Sequence, residues 1–306
     1  MPEGPEVETL RTRLDAYIPK LSKLATFEIF SRDFNNNARG FVCQFSQEDC
    51  NKIINAHIVA FQRVSKFLIF KFDNQQNLLI HLSFTGGFSK TNPIYPAFKL
   101  SFTHGVEDYP LFFSDKRGLA KIWILSDSQL SQKSSLKVGI DALRMEEGSF
   151  IKEGLNLLSR KGCQRSQIKP LLMNYSYFAG VGNIYANEVC YAAGINPEEK
   201  ISNLTQLQKV SILAFLHLIL NKALSCGGST VEDFLALGEP GTYQQHLKIY
   251  KADICNRCLT KPLKIKQAGR GTYLCPNCQP LNVQRGESKH DENERLFGEA
   301  AHFPRS

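Results

Sequence analysis

Two groups of residues have the types and spacing for chemistry. The chain opens Met-Pro-Glu-Gly-Pro-Glu-Val-Glu-Thr. Once Met1 is removed, Pro2 presents a free secondary amine, a nucleophile able to form an imine with an aldehyde carbon. Glu3 places a carboxylate beside it for proton transfer. The second group is Cys255-x-x-Cys258 and Cys275-x-x-Cys278, with sixteen residues between the pairs. That is the spacing of a four-cysteine zinc site, and four thiolates leave no open coordination position, so one structural Zn2+ is expected. The intervening residues have the length of a hairpin, whose Lys261, Lys264, Lys266 and Arg270 are free to meet phosphate.

These groups need elements to position them. Pro5 suits the first turn of a helix whose Val7, Leu10, Leu14 and Ile18 recur at helical spacing. Glu6 and Glu8 fall in its first turns. The amine of Pro2 then lies just ahead of an electropositive helix end, which favours its neutral, nucleophilic form. Further along, Phe178-Ala-Gly-Val-Gly-Asn-Ile-Tyr185 sets two glycines before a second helix start. This pattern reads either as a plain helix cap or as a close backbone approach to an anion, with Asn183 adding a donor. Lys66 lies just before the apolar strand Phe67–Phe72, as a solvated strand end or a catalytic cation. His81-Leu-Ser-Phe-Thr-Gly86 ends a strand in a turn, with Phe84 at its tip as core or as an exposed wedge of the kind that replaces a base removed from a duplex stack.

The 306 residues are enough for about two domains with their own cores, and 42% hydrophobic with 22% charged residues is a globular composition. Acidic and basic residues interrupt the N-terminus, so no signal peptide is expected. No run reads as a membrane span, which points to an intracellular protein, cytoplasmic, nucleoid-associated or nuclear, and not secreted. The net charge of +8 favours a polyanionic partner, and Lys248–Cys278 alone holds seven basic side chains against one acidic. Cys43, Cys50, Cys163, Cys190 and Cys226 are scattered and read as buried apolar residues.

Strands are expected at Phe27–Phe30, Phe41–Phe45, Phe67–Phe72, Leu78–Phe84, Phe98–Phe102, Leu111–Phe113 and Lys121–Leu125, forming a β-sandwich or flattened barrel. Polar composition marks residues 131–148 as a linker. Helical periodicity follows at Phe150–Ser159, Ile168–Met173, Ile184–Ala193 and Leu204–Ser225, the last with a core stripe of Leu204, Leu207, Leu213, Leu216, Leu220 and Leu224 and a Gly227-Gly228 stop. The expected architecture is α+β and multidomain: an N-terminal helix and sandwich (1–130), a helical domain (149–247), a finger (248–279) and a disordered tail (280–306).

Together, Pro2-Glu3-x-Pro5-Glu6-Val7-Glu8-Thr9, Lys66, His81–Gly86, Ile168–Met173, Gly180–Ala186 and Gly269–Gln279 resemble the formamidopyrimidine-DNA glycosylase / endonuclease VIII family over residues 1–279. The resemblance implies a β-sandwich, a helix-two-turn-helix domain and a zinc-finger hairpin, with damaged double-stranded DNA held between them by a monomer. It implies that Pro2 attacks the anomeric carbon of a flipped nucleotide, that Glu3 moves protons at the sugar, that Lys66 assists β-elimination and that Arg270 assists δ-elimination. Asn183, Arg165, Arg117, Phe84 and Lys169 would contact DNA. The chain departs from the family where Phe84 replaces a common Met, where Lys116-Arg117-Gly118-Leu119 replaces Arg-Arg-Phe, and where a histidine near Pro96 and Ala97 is missing. These positions bear on the base opposite the lesion. The length of Leu235–Tyr250 resembles the loop over an oxidised purine, while an oxidised pyrimidine is the endonuclease VIII-like alternative. Two non-enzymatic readings remain beside these: a silent zinc-dependent DNA-binding module and a zinc-stabilised protein scaffold.

Overall fold

The computed structural model describes residues 2–30, 42–230 and 235–281. Met1, Phe41 of the expected second strand, and the tail from residue 282 lie outside the described residues. Helix α1 (Gly4–Tyr17) begins with Pro5 in its first turn, and its apolar stripe is fully buried, with Val7, Leu10 and Leu14 at 0% exposure. Two sheets follow. Strands β1 (Lys23–Ile29), β6 (Gly86–Ser89), β7 (Pro96–His104) and β8 (Glu107–Asp115) form one in the order β1-β7-β8-β6. The other runs β2-β9-β5-β4-β3, from β2 (Val42–Gln44), β3 (Ile58–Val64), β4 (Phe67–Phe72), β5 (Gln76–His81) and β9 (Lys121–Ser126). Within these two sheets, among the described residues, β2 and β9 pair in parallel and the other strand pairs are antiparallel. Between the sheets Phe70, Phe88, Phe98 and Phe113 interlock, with Phe88 to Phe113 centroids 5.0 Å apart, and α1 packs into the same core. A β-sandwich is therefore present.

Among the described residues, β3, β6 and a short helix are elements that escape the sequence pattern. Strand β3 contains Gln62 and Arg63, whose polarity hides its alternation, although Arg63 points inward. Strand β6 carries Gly86-Gly87, which read as a turn. The short helix α2 (Gln47–Ile53) was signalled by Ser46 and Asp49, which cap each other: Asp49 N donates to Ser46 Oγ at 3.2 Å and Ser46 N to Asp49 Oδ2 at 2.8 Å.

The chain is packed on both sides of the boundary expected at residue 131. Helix α3 (Asp127–Gln132) and the turn after it lay Leu130 and Leu136 over Ile69, Leu79 and Trp123 on the outer face of the five-stranded sheet. The polar composition of this stretch is solvent-side, while its few apolar residues do the packing. Further on, Ile140 pairs with the backbone at Phe178.

The helical domain comprises α4 (Glu147–Leu158), α5 (Ile168–Leu172), α6 (Asn183–Ala192) and α7 (Gln206–Ser225) around Phe150, Leu172, Tyr185, Val189 and Leu213. With a mean hydropathy of 1.3, the 20-residue α7 is long and apolar enough to cross a membrane, against the sequence expectation, yet Ile212, Leu213, Leu216 and Leu220 are core residues of this domain. One leucine of the expected stripe is misassigned. Leu207 is 47% exposed, because it precedes Leu216 by two and a half turns and so faces the opposite way. Of the scattered cysteines, Cys50, Cys163 and Cys190 are buried and Cys226 is half-buried. The chain ends its described part in a hairpin, β10 (Leu263–Gln267) and β11 (Arg270–Leu274), turning at Ala268-Gly269.

Candidate active site

The centre of the site is Glu3, the residue that caps α1, with an exposure of 1%. Its carboxylate caps its own helix in a reciprocal box with Glu6 and also reaches a second helix. It accepts hydrogen bonds from the first amides of α6, Ile184 N at 2.9 Å and Tyr185 N at 3.4 Å. The helix N-terminus recognised in the sequence thus binds an anion, and that anion is the chain's own Glu3. Gly182 makes the approach possible: a Cβ there would fall 2.1 Å from Glu3 Cδ. Gly180 has a left-handed φ of +79° and its carbonyl accepts from Gly4 N at 2.7 Å, fixing the backbone next to Pro2, itself buried.

Glu6 supports this arrangement from below. Its Oε2 accepts from Glu3 N at 2.9 Å, and its Oε1 accepts from the Tyr185 hydroxyl and from Ser229 N at 2.7 Å. Burial and the neighbouring Glu6 hold the Tyr185 phenol well above its ordinary pKa, so it remains a donor. The Gly227-Gly228 helix stop has a second use here, since a Cβ on Gly228 would meet Glu6 Cγ at 2.8 Å.

Lys66, half-buried in the β3–β4 turn, completes the centre. Burial lowers its ammonium pKa, the charge of Glu3 opposes that, and Arg270 adds to it. Burial raises the Glu3 carboxyl, Lys66 opposes, and Glu6 adds. An acid raised and an ammonium lowered, each within reach of the other's field, lie closer on the pH scale than free side chains, which eases proton exchange between them. Arg270 is exposed at the start of β11, at the tip of the finger hairpin.

The hairpin is docked by polar side chains. Lys169 is 1% exposed and donates to Asn183 Oδ1 at 2.8 Å and Thr272 Oγ1 at 2.7 Å, and Asn183 Nδ2 donates to Gly271 O at 3.0 Å. Burial pushes Lys169 down to about 8. The structure therefore places both residues, expected to touch DNA, at the joint between helical domain and finger. Sequence reasoning missed Asn187 and Glu188. Asn187 Oδ1 accepts from Tyr273 N at 2.8 Å, and buried Glu188 accepts from the amides of Lys248, Ile249 and Tyr250 between 2.8 and 3.0 Å. Their only signal was polarity on the buried face of an apolar helix.

The four cysteine sulfurs all lie within 4.8 Å of one another, Cys255 to Cys278 at 3.8 Å and Cys258 to Cys275 at 3.3 Å. Tetrahedral zinc with Zn–S bonds of about 2.3 Å needs sulfurs about 3.8 Å apart, so the donor set and its spacing fit such an ion. Arg257, inside the first Cys pair, donates to the carbonyls of Tyr191 at 2.9 Å and Ala192 at 3.0 Å at the end of α6.

Two loops on the sandwich meet beside this centre's strand. Ser83 Oγ donates to Leu119 O at 2.6 Å, and Thr85 Oγ1 bonds Asp115. The guanidinium of exposed Arg117 lies 4.7 Å over the ring of half-buried Phe84. Arg117 thus has its aromatic partner, supplied by the neighbouring loop instead of by its own. Arg165 is exposed in the turn before α5.

Family models for the formamidopyrimidine-DNA glycosylase N-terminal domain and its H2TH domain match residues 1–122 and 149–235. A formamidopyrimidine-DNA glycosylase of Pelotomaculum thermopropionicum is 31% identical over 292 residues, covering 92% of this chain and all of the relative. The chain belongs to the formamidopyrimidine-DNA glycosylase / endonuclease VIII family. Among solved structures, the MutM (Fpg) protein of Thermus thermophilus superposes with a TM-score of 0.75 at 27% identity, covering 92% of this chain and 99% of that one. The Lactococcus lactis Fpg in complex with DNA containing an abasic site gives 0.75 at 28% identity, covering 91% and 99%.

In this glycosylase, His81 makes a pH dependence testable. Burial pushes it down to about 4 from 6.5, with Lys66 and Lys121 adding. The unfolded chain therefore binds the proton more readily, and stability present above pH 6.5 is lost as pH falls toward 4. His81→Gln is expected to remove that part of the acid slope, worth at most about 3 kcal/mol, in unfolding curves recorded across this range.

Proposed function

We propose that this family member is a bifunctional DNA glycosylase and abasic-site lyase acting on oxidised bases in duplex DNA as a monomer. The observation carrying the reading is the carboxylate of Glu3, held on the α6 amides within the field of Lys66 and one residue from Pro2. In this reading the Pro2 amine, freed of Met1, attacks C1′ of a flipped nucleotide. The base departs with a proton, and the sugar ring opens to an iminium. Glu3 passes the proton at the sugar during opening. The iminium withdraws electrons from the adjacent carbon, so a C2′ proton is lost and the 3′ phosphate leaves, with Lys66 assisting. Arg270 at the hairpin tip then assists loss of the 5′ phosphate.

Four thiolates at this spacing hold a structural Zn2+, which would supply rigidity to the hairpin and no reacting position. Phe84 with Arg117 stacked on it fills the space of the flipped base, and Asn183, Arg165 and Lys169 hold the backbone near the lesion directly or through the hairpin. Oxidised purines such as 8-oxoguanine and formamidopyrimidines are the favoured substrates, supported by the length of the 235–250 loop.

Excision profiling against oxidised purines and pyrimidines in defined pairs tests this. Release of 8-oxoguanine opposite cytosine is the expected result, while activity confined to pyrimidine lesions overturns the purine assignment. Gly182→Ala should lower single-turnover base release on the order of 100-fold, because the added methyl would fall 2.1 Å from the Glu3 carboxyl carbon and displace it. An unchanged rate would remove Glu3 from the mechanism.

A further inference from the structure

One buried cation is not used by the mechanism above. Arg63, on β3, is 0% exposed, and each of its guanidinium nitrogens has a partner. Nε donates to Glu8 Oε2 of α1 at 2.7 Å, Nη2 to Asp141 Oδ2 of the 127–146 segment at 2.7 Å, and Nη1 to the carbonyl of Ser65 at 2.9 Å. A buried cation with an oxygen for each nitrogen is stable only while that geometry holds, since an unpaired buried charge is costly. On Glu8, burial acts upward, but the hydrogen bonds from Arg11 and Arg63 prevail and hold its carboxyl below the ordinary value.

What Arg63 grips is the turn that carries Lys66. Ser65 has a left-handed φ of +55°, a conformation disfavoured for a residue with a Cβ, and it precedes Lys66 directly. The same Ser65 accepts from Gly180 N at 2.9 Å through its hydroxyl, and Gly180 O accepts from Gly4 N at 2.7 Å. A side chain at Gly180 would come within 3.5 Å of Arg63 Nη1. One guanidinium thereby joins α1, which carries Pro2 and Glu3, to the turn that carries Lys66.

We propose that Arg63 is a positioning residue that sets the distance between Lys66 and the Pro2–Glu3 end of α1, through its bonds to Glu8, Asp141 and the Ser65 carbonyl, with the Ser65 hydroxyl carrying the link on to Gly180 and so to Gly4. This rests on the lyase reading, in which Lys66 assists elimination. A lysine cannot replace it, because an ammonium is a point donor and the three acceptors need a planar fork.

The test is single-turnover kinetics of the full-length protein on abasic-site duplex, with DNA affinity and pH–rate profile measured alongside, for Arg63→Lys and Ser65→Ala. Both are expected to lower the elimination rate about 10-fold or more while DNA affinity changes less than about 3-fold. The pH profile should move, because the charges acting on Lys66 are Glu3, Arg270 and Glu6 and their distances would change. Ser65→Ala keeps every guanidinium bond, so it reads the link to Gly180 even where Arg63→Lys fails to fold. Variants that match the parent in rate and pH profile overturn the proposal, as does a loss lying wholly in DNA affinity. Failure of the unsubstituted protein to cleave abasic DNA overturns the lyase reading and this inference with it, and is distinguishable from variants that match an active parent.

Discussion

A chain with even one residue retained ahead of Pro2 is expected to form no covalent adduct with abasic DNA. An amide nitrogen has given its lone pair to the carbonyl, so an N-terminal extension removes the nucleophile while leaving the Glu3 and Lys66 side chains in place. The expected loss in borohydride-trapped adduct is on the order of 10³-fold or more. DNA affinity should stay within about 3-fold, because phosphate contacts, not the amine, supply it. Trapping of the processed and extended forms, compared on one denaturing gel, decides the matter: equal adduct from both would move the nucleophile elsewhere.

Replacing Cys275 by Ser, or stripping the metal with a chelator, is the second large effect. The hairpin is held at its inner side by Lys169, Asn183 and Asn187, each bond contributing about 1 kcal/mol. Structural zinc in small finger peptides contributes about 10–16 kcal/mol. The metal therefore outweighs the docking bonds, and without it the hairpin is expected to lose its register. Cleavage should fall with DNA affinity, at least about 10-fold, while the sandwich core keeps its own melting transition. Zinc release followed by a chromophoric chelator, together with hydrogen exchange at the Tyr273 amide, reports this. Full DNA affinity in metal-free protein would show that the docking bonds suffice.

The parts of the site that were legible in the sequence are those encoded by short spacing. Pro2-Glu3, the paired Cys-x-x-Cys and the glycines before Asn183 each lie within a few residues, and each locates real geometry. What remained hidden depends on partners far apart in the chain. Glu3 meets Ile184 across 181 positions, and Arg63 meets Asp141 across 78. A buried arginine inside a strand looks like a break in the pattern, so β3 and its cation vanished together. The glycines were recognised as a place of close approach, but nothing local says that the approaching group comes from residue 3. Arg117 likewise seemed to lack its aromatic neighbour because the ring sits on another loop. Leu207 shows the opposite error, a residue fitting the apolar list by type while facing away by angle.

Helix α6 receives Glu3 at one end and Arg257 of the cysteine knuckle at the other. Glu3 of the sandwich domain has amide partners on the helical domain, and those amides have Glu3 as their anion. Evolutionarily, this binds the domains as one heritable unit: recombination at the boundary must match a carboxylate on one side to a helix end on the other. A splice that misaligns them separates the Glu3 carboxylate from the Ile184 and Tyr185 amides on which it rests.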